Sequence, residues 1–249
     1  MFIDSHCHIY SEYYDDIENV VLSAKEVGVI KLLNNAADLV SCNEVIKLSD
    51  MYDGMYFSLG IHPESVFDSF DELEKLVIDN LDNPKFVAIG EIGLDYHYGK
   101  DTKEEQIELF EKQLKLAETY NLPVIIHSRE ATQDTLNCIK KYNVKGVLHC
   151  FNGSLEIAKE YIKLGFYFGV NGVVTFKNAN IKDVIKDIPL ERILLETDSP
   201  YLTPEPFRKY KNEPKYIPTI ACFLANLYNV SLEEVSSITN SNIFNLFDF

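Results

Sequence analysis

The sequence predicts an α/β protein folded as a single (β/α)8 barrel over residues 1–249. Eight short apolar runs alternate with segments of helical periodicity, which indicates a parallel sheet with right-handed crossovers. The ends of neighbouring runs lie between 22 residues (His127 to His149) and 36 residues (Glu91 to His127) apart, about the size of one strand–helix unit. The predicted strands are Phe2–His8, Val29–Asn34, Met55–His62, Phe86–Glu91, Val124–His127, Gly146–His149, Phe166–Val170 and Ile193–Asp198.

An open doubly wound sheet is the alternative arrangement of alternating strands and helices. Such sheets usually have fewer strands and a glycine-rich first turn, whereas here the first strand ends in two histidines. The longest irregular stretch, residues 199–218, contains five prolines and follows the last predicted strand. A long loop in that position lies at the C-terminal mouth of a barrel, where active sites are built.

Two of the segments between strands carry clear signals of helix formation. Between Asp101 and Tyr120 apolar residues recur on one face, and Asp101 with Glu104 forms a predicted capping pair at the start. Ser231 and Glu234 form a second such pair before the last apolar stretch. The sequence therefore predicts a long helix after the fourth strand and another at the C-terminus.

The composition limits the classes of protein to which the chain can belong. With 39 acidic and 23 basic residues the net charge is −16, which argues against a broad basic face for long nucleic acid. It still allows an enzyme that takes a polyanion end into a site where metal ions supply positive charge. No run approaches the roughly 20 apolar residues of a membrane span, and the N-terminus has no signal-peptide pattern. We expect a cytoplasmic protein without membrane association, and no feature indicates an obligatory protein partner.

The five cysteines are scattered, which fits reduced thiols in a reducing compartment. Cys7 and Cys150 each lie beside a candidate ligand histidine. Because side chains alternate along a strand, we expect both thiols to point away from the site and to pack.

Six residues with metal-binding side chains fall at predicted strand ends. His6 and His8 are two residues apart, so on a strand they share one face. The ends of parallel barrel strands converge on one mouth, where imidazoles and carboxylates together suit Zn, Mn, Fe or, less selectively, Mg. A carboxylate can bridge two ions, and two-metal sites are common in hydrolases. Six separate local roles are the alternative interpretation. The six residues are His6, His8, Glu91, His127, His149 and Asp198.

Further residues are candidates for substrate binding. Arg129 follows a predicted strand end, and its guanidinium matches a phosphate or a carboxylate. Arg208 in the proline-rich loop offers the same chemistry, with solvated surface charge as the alternative. His62 either binds substrate, orients a ligand or makes a structural hydrogen bond, and Asp95 is a candidate partner of a ligand. Three tyrosines in predicted mouth loops are placed to stack on a base: Tyr96, Tyr98 and Tyr201.

At these residues the sequence resembles the TatD family of metal-dependent deoxyribonucleases, which are TIM barrels related to the amidohydrolases. The resemblance covers nearly the whole chain, and no departure occurs at the six positions. The segments that carry it are Asp4-Ser5-His6-Cys7-His8, Gly60-Ile61-His62-Pro63, Gly90-Glu91-Ile92-Gly93-Leu94-Asp95-Tyr96, His127-Ser128-Arg129, His149-Cys150-Phe151, Glu196-Thr197-Asp198-Ser199-Pro200-Tyr201-Leu202 and Asn212-Glu213-Pro214.

The resemblance implies two divalent metal ions, which we expect to be Mg, Mn or Zn. It implies that one ion is held by His6, His8 and Asp198. It also implies that the other is held by His127 and His149, with Glu91 as the bridge. The site follows from the resemblance more firmly than the substrate does, because related barrels hydrolyse several kinds of bond.

We expect a phosphodiesterase that cleaves DNA from 3′ ends, with single-stranded or 3′-end DNA as substrate. In the expected mechanism the metal ions lower the pKa of a bound water and Asp198 accepts its proton. The hydroxide then attacks phosphorus in line, while the metals and Arg129 stabilise the developing charge.

Two alternatives come from other functional classes. An amidohydrolase or esterase would use the same chemistry on a small carbonyl compound, and the acidic net charge favours it. Arg129 and the mouth tyrosines favour the nuclease. A non-catalytic, metal-stabilised barrel that binds a partner would hold metal without turnover, and the presence of Asp198 argues against it.

Overall fold

The computed structural model describes residues 1–249 and contains one eight-stranded sheet in the order β1 to β8. Every neighbouring pair of strands is parallel. Between the first strand and the segment after the last, Cys7 pairs with Ser199 in parallel, and the Asp198 N–H donates to the His6 carbonyl oxygen at 2.9 Å. These contacts bring the sheet round into a barrel, so the predicted fold class is confirmed. The strands are β1 (Phe2–Cys7), β2 (Val29–Asn35), β3 (Met55–Leu59), β4 (Phe86–Asp95), β5 (Val124–Arg129), β6 (Gly146–Leu148), β7 (Tyr167–Val170) and β8 (Ile193–Leu195).

Nine helices accompany the strands and alternate with them for most of the chain. The last two helices follow β8 in succession, after the long irregular segment that the prolines predicted. No helix is both long enough and apolar enough to span a bilayer. The helices are α1 (Ile17–Glu26), α2 (Leu39–Met51), α3 (Phe70–Asn80), α4 (Lys103–Tyr120), α5 (Thr132–Ile139), α6 (Leu155–Lys163), α7 (Ile181–Ile185), α8 (Ile217–Tyr228) and α9 (Leu232–Leu246).

The apolar core forms two separate clusters because strand side chains alternate between the two faces of the sheet. The larger cluster has 54 buried residues, drawn from the strands and from the helices that pack on them. The smaller has 10, and it joins strand residues such as Ile3 and Val147 to Ile243 of α9. Helix α9 also binds the chain start, since the Ser236 hydroxyl donates to the Met1 carbonyl oxygen at 2.5 Å. The N-terminal end of the barrel is therefore closed by packing, which leaves the opposite end for the site.

Several predicted strand ends differ from the observed ones. β4 continues past Glu91 to Asp95, because Ile92–Asp95 pairs with residues of β5. Glu91 therefore lies within a strand. β8 stops at Leu195, so Asp198 lies in the segment after it, with φ of +57°. Besides the backbone hydrogen bonds to β1, a side chain holds that segment: the Thr197 N–H donates to Asp4 Oδ1 at 2.9 Å.

The two predicted helix caps had different outcomes. Ser231 and Glu234 form a capping box at the start of α9, with each side chain accepting from the other residue's backbone N–H. The prediction that Asp101 and Glu104 cap the helix was wrong, because Asp101 lies in a short 3-10 turn and α4 begins only at Lys103. The turn before α4 moves the N-cap by one residue, from Asp101 to Thr102, which makes no side-chain capping hydrogen bond.

Candidate metal centre

The six predicted ligand residues converge at the C-terminal mouth of the barrel. Five of them line a cavity of about 700 Å³, and His6 lies directly behind it, 1% exposed. They come from six places in the chain, because each parallel strand delivers its C-terminal residues to the same end of the barrel. Their positions are β1 (His6), the residue after β1 (His8), the middle of β4 (Glu91), β5 (His127), the residue after β6 (His149) and the segment after β8 (Asp198).

A first group forms around one oxygen of Glu91. The Nε2 atoms of His6 and His8 are 3.1 Å apart, and they lie 3.4 and 3.3 Å from Glu91 Oε2. Both nitrogens are also 3.6 Å from Asp198 Oδ1. Two imidazole nitrogens and two carboxylate oxygens therefore face one point.

A second group forms around the other oxygen of the same carboxylate. His149 Nε2 lies 2.7 Å and His127 Nδ1 lies 3.0 Å from Glu91 Oε1. These two nitrogens are 3.2 Å from each other. Glu91 thus presents one oxygen to each group, which is the geometry required of a carboxylate that bridges two cations.

The donor atoms fit divalent cations in spacing and chemistry. Two ligands at the usual 2.0–2.1 Å from a tetrahedral ion lie roughly 3.3 Å apart. The observed nitrogen–nitrogen separations of 3.1 and 3.2 Å are close to this value. Imidazole and carboxylate ligands suit Zn, Mn and related ions. The residues present therefore fit the metals that the sequence predicted.

Hydrogen bonds behind two of the imidazoles select the tautomer that a cation needs. His8 Nδ1 is 3.0 Å from the Asn35 carbonyl oxygen, so in the neutral ring that nitrogen carries the proton and Nε2 keeps its lone pair. His127 Nε2 is 3.0 Å from Asp95 Oδ2, which leaves the lone pair on Nδ1. The predicted role of Asp95 as the partner of a ligand is consistent with this contact.

The electrostatics of the centre draw positive charge into it. Burial alone lowers the pKa of His8, but Asp198 and Glu91 outweigh it and raise that pKa to about 10. Burial opposes ionisation of Glu91, yet the surrounding imidazoles, His149 first among them, hold its pKa well below its usual range. Both effects have one physical cause: the carboxylates stay ionised and stabilise a cation beside them.

His62 lies next to the second group. Its Nε2 is 3.6 Å from Glu91 Oε1, and its ring packs edge-on against the ring of His127 at 4.4 Å. Its Nδ1 accepts the Glu64 N–H at 3.2 Å, so Nε2 carries the proton toward the cavity. Burial lowers the pKa of His62 to about 3, which keeps the ring neutral. The geometry suits a neutral hydrogen-bond donor that faces the cavity.

The predicted substrate residues separate into two groups. Arg129 and Tyr201 line the cavity, and the Arg129 guanidinium stacks on the Tyr98 ring at 4.8 Å without pairing to any carboxylate. Arg208 does not line the cavity. Its guanidinium covers the Phe176 ring at 3.9 Å and donates to the Thr203 carbonyl oxygen at 3.0 Å.

Two further expectations need correction. The Tyr96 ring is buried, and its hydroxyl donates to Asp134 at 2.9 Å, because β4 continues to Asp95 and the Tyr96 N–H still donates to the Arg129 carbonyl oxygen of β5 at 2.9 Å. Cys7 does point away and donates to the Leu33 carbonyl oxygen, but Cys150 lines the cavity. Cys150 has φ of +45°, since it follows the end of β6, so strand alternation no longer fixes its direction.

The sequence analysis missed two tyrosines beside the first group. The Tyr10 hydroxyl is 2.7 Å from His8 Nδ1. Tyr13 stacks on Tyr10 at 5.6 Å and contacts the Tyr201 ring at 5.9 Å. Three rings thus lead from His8 outward to the solvent. The spacing of Tyr10 two residues after His8 was a usable signal, because alternate residues of an extended segment share a face.

An eight-stranded parallel barrel with four imidazoles and two carboxylates gathered at its mouth defines a TIM-barrel protein with a candidate histidine–carboxylate metal centre. The family model described as TatD related DNase matches residues 3–248. A Bacillus subtilis protein named as the uncharacterized metal-dependent hydrolase YabD is 41% identical, over 99% of both chains. The human protein named deoxyribonuclease TATDN3 is 32% identical, over 98% of this chain and 94% of its own. The crystal structure of YJJV, a TatD homolog from Escherichia coli, superposes with a TM-score of 0.92 at 32% identity, over 100% and 98% of the two chains. The chain belongs to the TatD family.

Proposed function

We propose that this protein is a hydrolase dependent on two divalent metal ions, a phosphodiesterase that removes nucleotides from the 3′ ends of DNA. The observation that carries the proposal is the position of Glu91, whose two oxygens each face a separate group of donor atoms. The names of the relatives, metal-dependent hydrolase and deoxyribonuclease, support the reaction class and the substrate.

In the proposed centre, each metal ion would have its own set of ligands. His6, His8 and Asp198 would hold one Mg, Mn or Zn ion, while His127 and His149 would hold the other. Glu91 would join the two. When bound, the ions would supply positive charge that lowers the pKa of the attacking water and offsets the charge of the phosphate.

Asp198 is the proposed general base. Its Oδ1 faces the two imidazoles of the first group, while the side chain remains 11% exposed toward the cavity. Burial opposes its ionisation, but His8 and the neighbouring imidazoles lower its pKa, so it is a carboxylate at neutral pH. An ionised carboxylate open to the cavity can accept a proton from the attacking water.

Arg129 is the proposed phosphate ligand. It lines the cavity, and its guanidinium has no carboxylate partner to compete with a substrate. The planar fork can bind two phosphate oxygens, and its fixed charge stabilises negative charge that develops during attack. Tyr201 and Tyr98, at 50% and 66% exposed, offer ring faces on which the bases of a single strand can stack.

A hydrolase of small carbonyl compounds remains the second candidate, because one wall of the cavity is apolar. That wall is formed by Phe151, Val173, Val174 and Ile181. It would accommodate the hydrocarbon part of an ester or lactone. Arg129, the one arginine or lysine that lines the cavity, is the feature that favours the phosphodiester.

The test is a comparison of substrates with defined metal content. The metal-stripped protein is supplied with Mg²⁺, Mn²⁺ or Zn²⁺ and incubated with single-stranded oligonucleotides labelled at the 5′ end, and in parallel with a panel of esters and lactones. We expect a ladder of products shortened one nucleotide at a time from the 3′ end. Hydrolysis confined to the carbonyl panel would replace the proposed substrate, and metal binding without any turnover would replace the proposed reaction.

A further inference from the structure

Glu196 is a buried carboxylate that the proposed mechanism does not use. It is fully buried, two residues before Asp198. Its Oε1 accepts the Cys150 N–H at 2.6 Å and the Asn171 Nδ2–H at 3.1 Å. Its Oε2 has no hydrogen-bond partner. Because an unsatisfied buried carboxylate oxygen is costly, a further donor is expected to belong to it.

A glycine in the neighbouring strand leaves room for the Glu196 carboxylate. A Cβ atom on Gly169 of β7 would lie 1.9 Å from Glu196 Oε2, so glycine is required there for space and not for backbone conformation. Asn171 is itself fixed, because its Oδ1 accepts the Val173 N–H at 3.1 Å while its amide group donates to Glu196. The carboxylate is thus contacted by neighbours from two segments, the residue after β6 and the end of β7.

Two ligand imidazoles lack a partner on the side away from the centre. Nδ1 of His6 and Nδ1 of His149 are both buried without a hydrogen bond. The two rings stack, with centroids 4.1 Å apart and planes inclined by 13°. His8 and His127 differ from them, since each of these rings has an acceptor behind it.

Glu196 lies beside both unpartnered rings. His149 Nδ1 is 4.0 Å from Glu196 Oε1, and a ring nitrogen of each imidazole lies within 4.8 Å of a Glu196 oxygen. A small rotation of the carboxylate or one ordered water closes a gap of this size. His6 belongs to the first donor group and His149 to the second, so this carboxylate stands behind one ligand of each.

We propose that Glu196 is a positioning residue that accepts the Nδ1–H of both His6 and His149 and so fixes one imidazole in each half of the metal centre. With the proton on Nδ1, the lone pair of each Nε2 points at Glu91, where the observed distances are 3.4 and 2.7 Å. The inference rests on the proposed metal centre and adds a residue that couples its two halves. Carboxylate–histidine–metal arrangements of this kind fix the ring and raise the basicity of the ligand.

The decisive variant is Glu196→Gln, which keeps the shape and can still accept from Cys150 and Asn171. Its single amide oxygen is already used by these two donors, and its second position becomes an NH2 group, so the variant no longer offers a charged acceptor with free capacity for the Nδ1–H groups. We expect the affinity for each of two zinc equivalents to fall by 10- to 100-fold, measured by competition with a chromogenic chelator. Asn242→Ala is the control: Asn242 is equally buried and hydrogen-bonded, but it contacts Leu190 and Ile193 far from the mouth.

A second measurement needs no variant. In the zinc-loaded wild-type protein labelled with ¹⁵N, we expect the Nδ1–H protons of His6 and His149 to resonate downfield and to exchange slowly with water. In Glu196→Gln both signals should exchange at least about tenfold faster, whereas in Asn242→Ala they should not change.

The possible outcomes separate this inference from the proposed function. Unchanged zinc affinity in Glu196→Gln, or weakening of only one equivalent, would overturn the shared role while leaving the metal centre intact. Rapidly exchanging Nδ1–H protons in the wild-type protein would overturn it even if the variant did not fold. Failure of the wild-type protein to bind zinc would overturn the centre itself and the inference with it.

Discussion

The floor and the rim of the cavity are built in different ways. The floor consists of the six proposed ligand residues, and their side chains are at most 17% exposed and joined by donor separations of 2.7–3.6 Å. The rim consists of Arg129, Tyr98, Tyr13 and Tyr201, where Tyr98 and Tyr201 are 66% and 50% exposed. The floor residues are on strands or immediately beside them, whereas most of the rim is on loops. We therefore expect floor substitutions to affect catalysis and metal binding, and rim substitutions to affect mainly substrate binding.

The largest effect is expected at Glu91, because it belongs to both donor groups. Glu91→Gln keeps the shape but removes the charge that holds two cations together. Removal of a residue that only hydrogen-bonds to a metal ligand typically lowers metal affinity or activity 10- to 100-fold. Loss of the bridging carboxylate should therefore reduce turnover by at least about 10²-fold. The measurements are kcat on an oligonucleotide and metal content by elemental analysis.

A matched control is Glu64→Gln, since Glu64 lines the same cavity but approaches neither donor group within ion-pair distance. Its turnover should stay within a few-fold of the wild-type value. Turnover near the wild-type value in Glu91→Gln would remove the bridging role and with it the main distinction between the floor and the rim.

Asp198 is expected to come next, because it is the proposed general base as well as a proposed ligand. Asp198→Asn retains one oxygen donor to the first group but cannot accept a proton. We expect substantial metal to remain bound, oligonucleotide binding to persist and single-turnover cleavage to slow by at least about 10²-fold, the lower end of what general base catalysis contributes. Full recovery of cleavage on addition of metal would mean that Asp198 is a ligand only.

The difference between floor and rim also separates what the sequence could predict from what it could not. The floor residues follow from two general rules, the alternation of side chains along a strand and the convergence of parallel strand ends. All six could therefore be selected from the sequence alone. The exact strand ends were less predictable, as Glu91 and Asp198 illustrate, because ladder pairing and the Asp4–Thr197 hydrogen bonds depend on distant segments.

The rim could be predicted only in part, because loop side chains follow tertiary contacts. Arg208 offered the same chemistry as Arg129, but its guanidinium is held over Phe176, and nothing in the local sequence indicates that contact. The sequence analysis quoted Glu196 within a motif but gave it no role, for a related reason. Its neighbours Gly169 and His149 come from distant parts of the chain. The buried atoms without a hydrogen-bond partner, which indicate its role, can be identified only in the folded barrel.

A smaller effect is expected at Arg129, the charged residue of the rim. Arg129→Ala removes charge-assisted hydrogen bonds to phosphate, which contribute about 1.5–3 kcal/mol, so kcat/KM on an oligonucleotide should fall roughly 10- to 100-fold. Arg129→Lys should recover only part of this loss, because a point charge does not reproduce the bidentate fork. Metal content should be unchanged in both variants. Unimpaired cleavage by Arg129→Ala would show that Arg129 does not bind phosphate.

The smallest effect is expected at Tyr201, where the proposed contribution is stacking alone. Its ring contacts Tyr13 at 5.9 Å and its hydroxyl donates to the Tyr13 hydroxyl at 3.1 Å, so Tyr201→Phe keeps the ring while Tyr201→Ala removes it. Stacking of a base on an aromatic ring is worth about 1–3 kcal/mol, and the lower end of that range corresponds to a rise in KM of roughly fivefold. We expect Tyr201→Ala to raise KM by about that factor at constant kcat and constant metal content, and Tyr201→Phe to resemble the wild-type protein.

An oligonucleotide with an abasic 3′-terminal nucleotide provides the complementary test. The wild-type protein should have a higher KM for this substrate than for the intact oligonucleotide, whereas Tyr201→Ala should have nearly the same KM for both. A fall in kcat or a loss of metal in Tyr201→Ala would place this residue with the floor and contradict the division between the two regions.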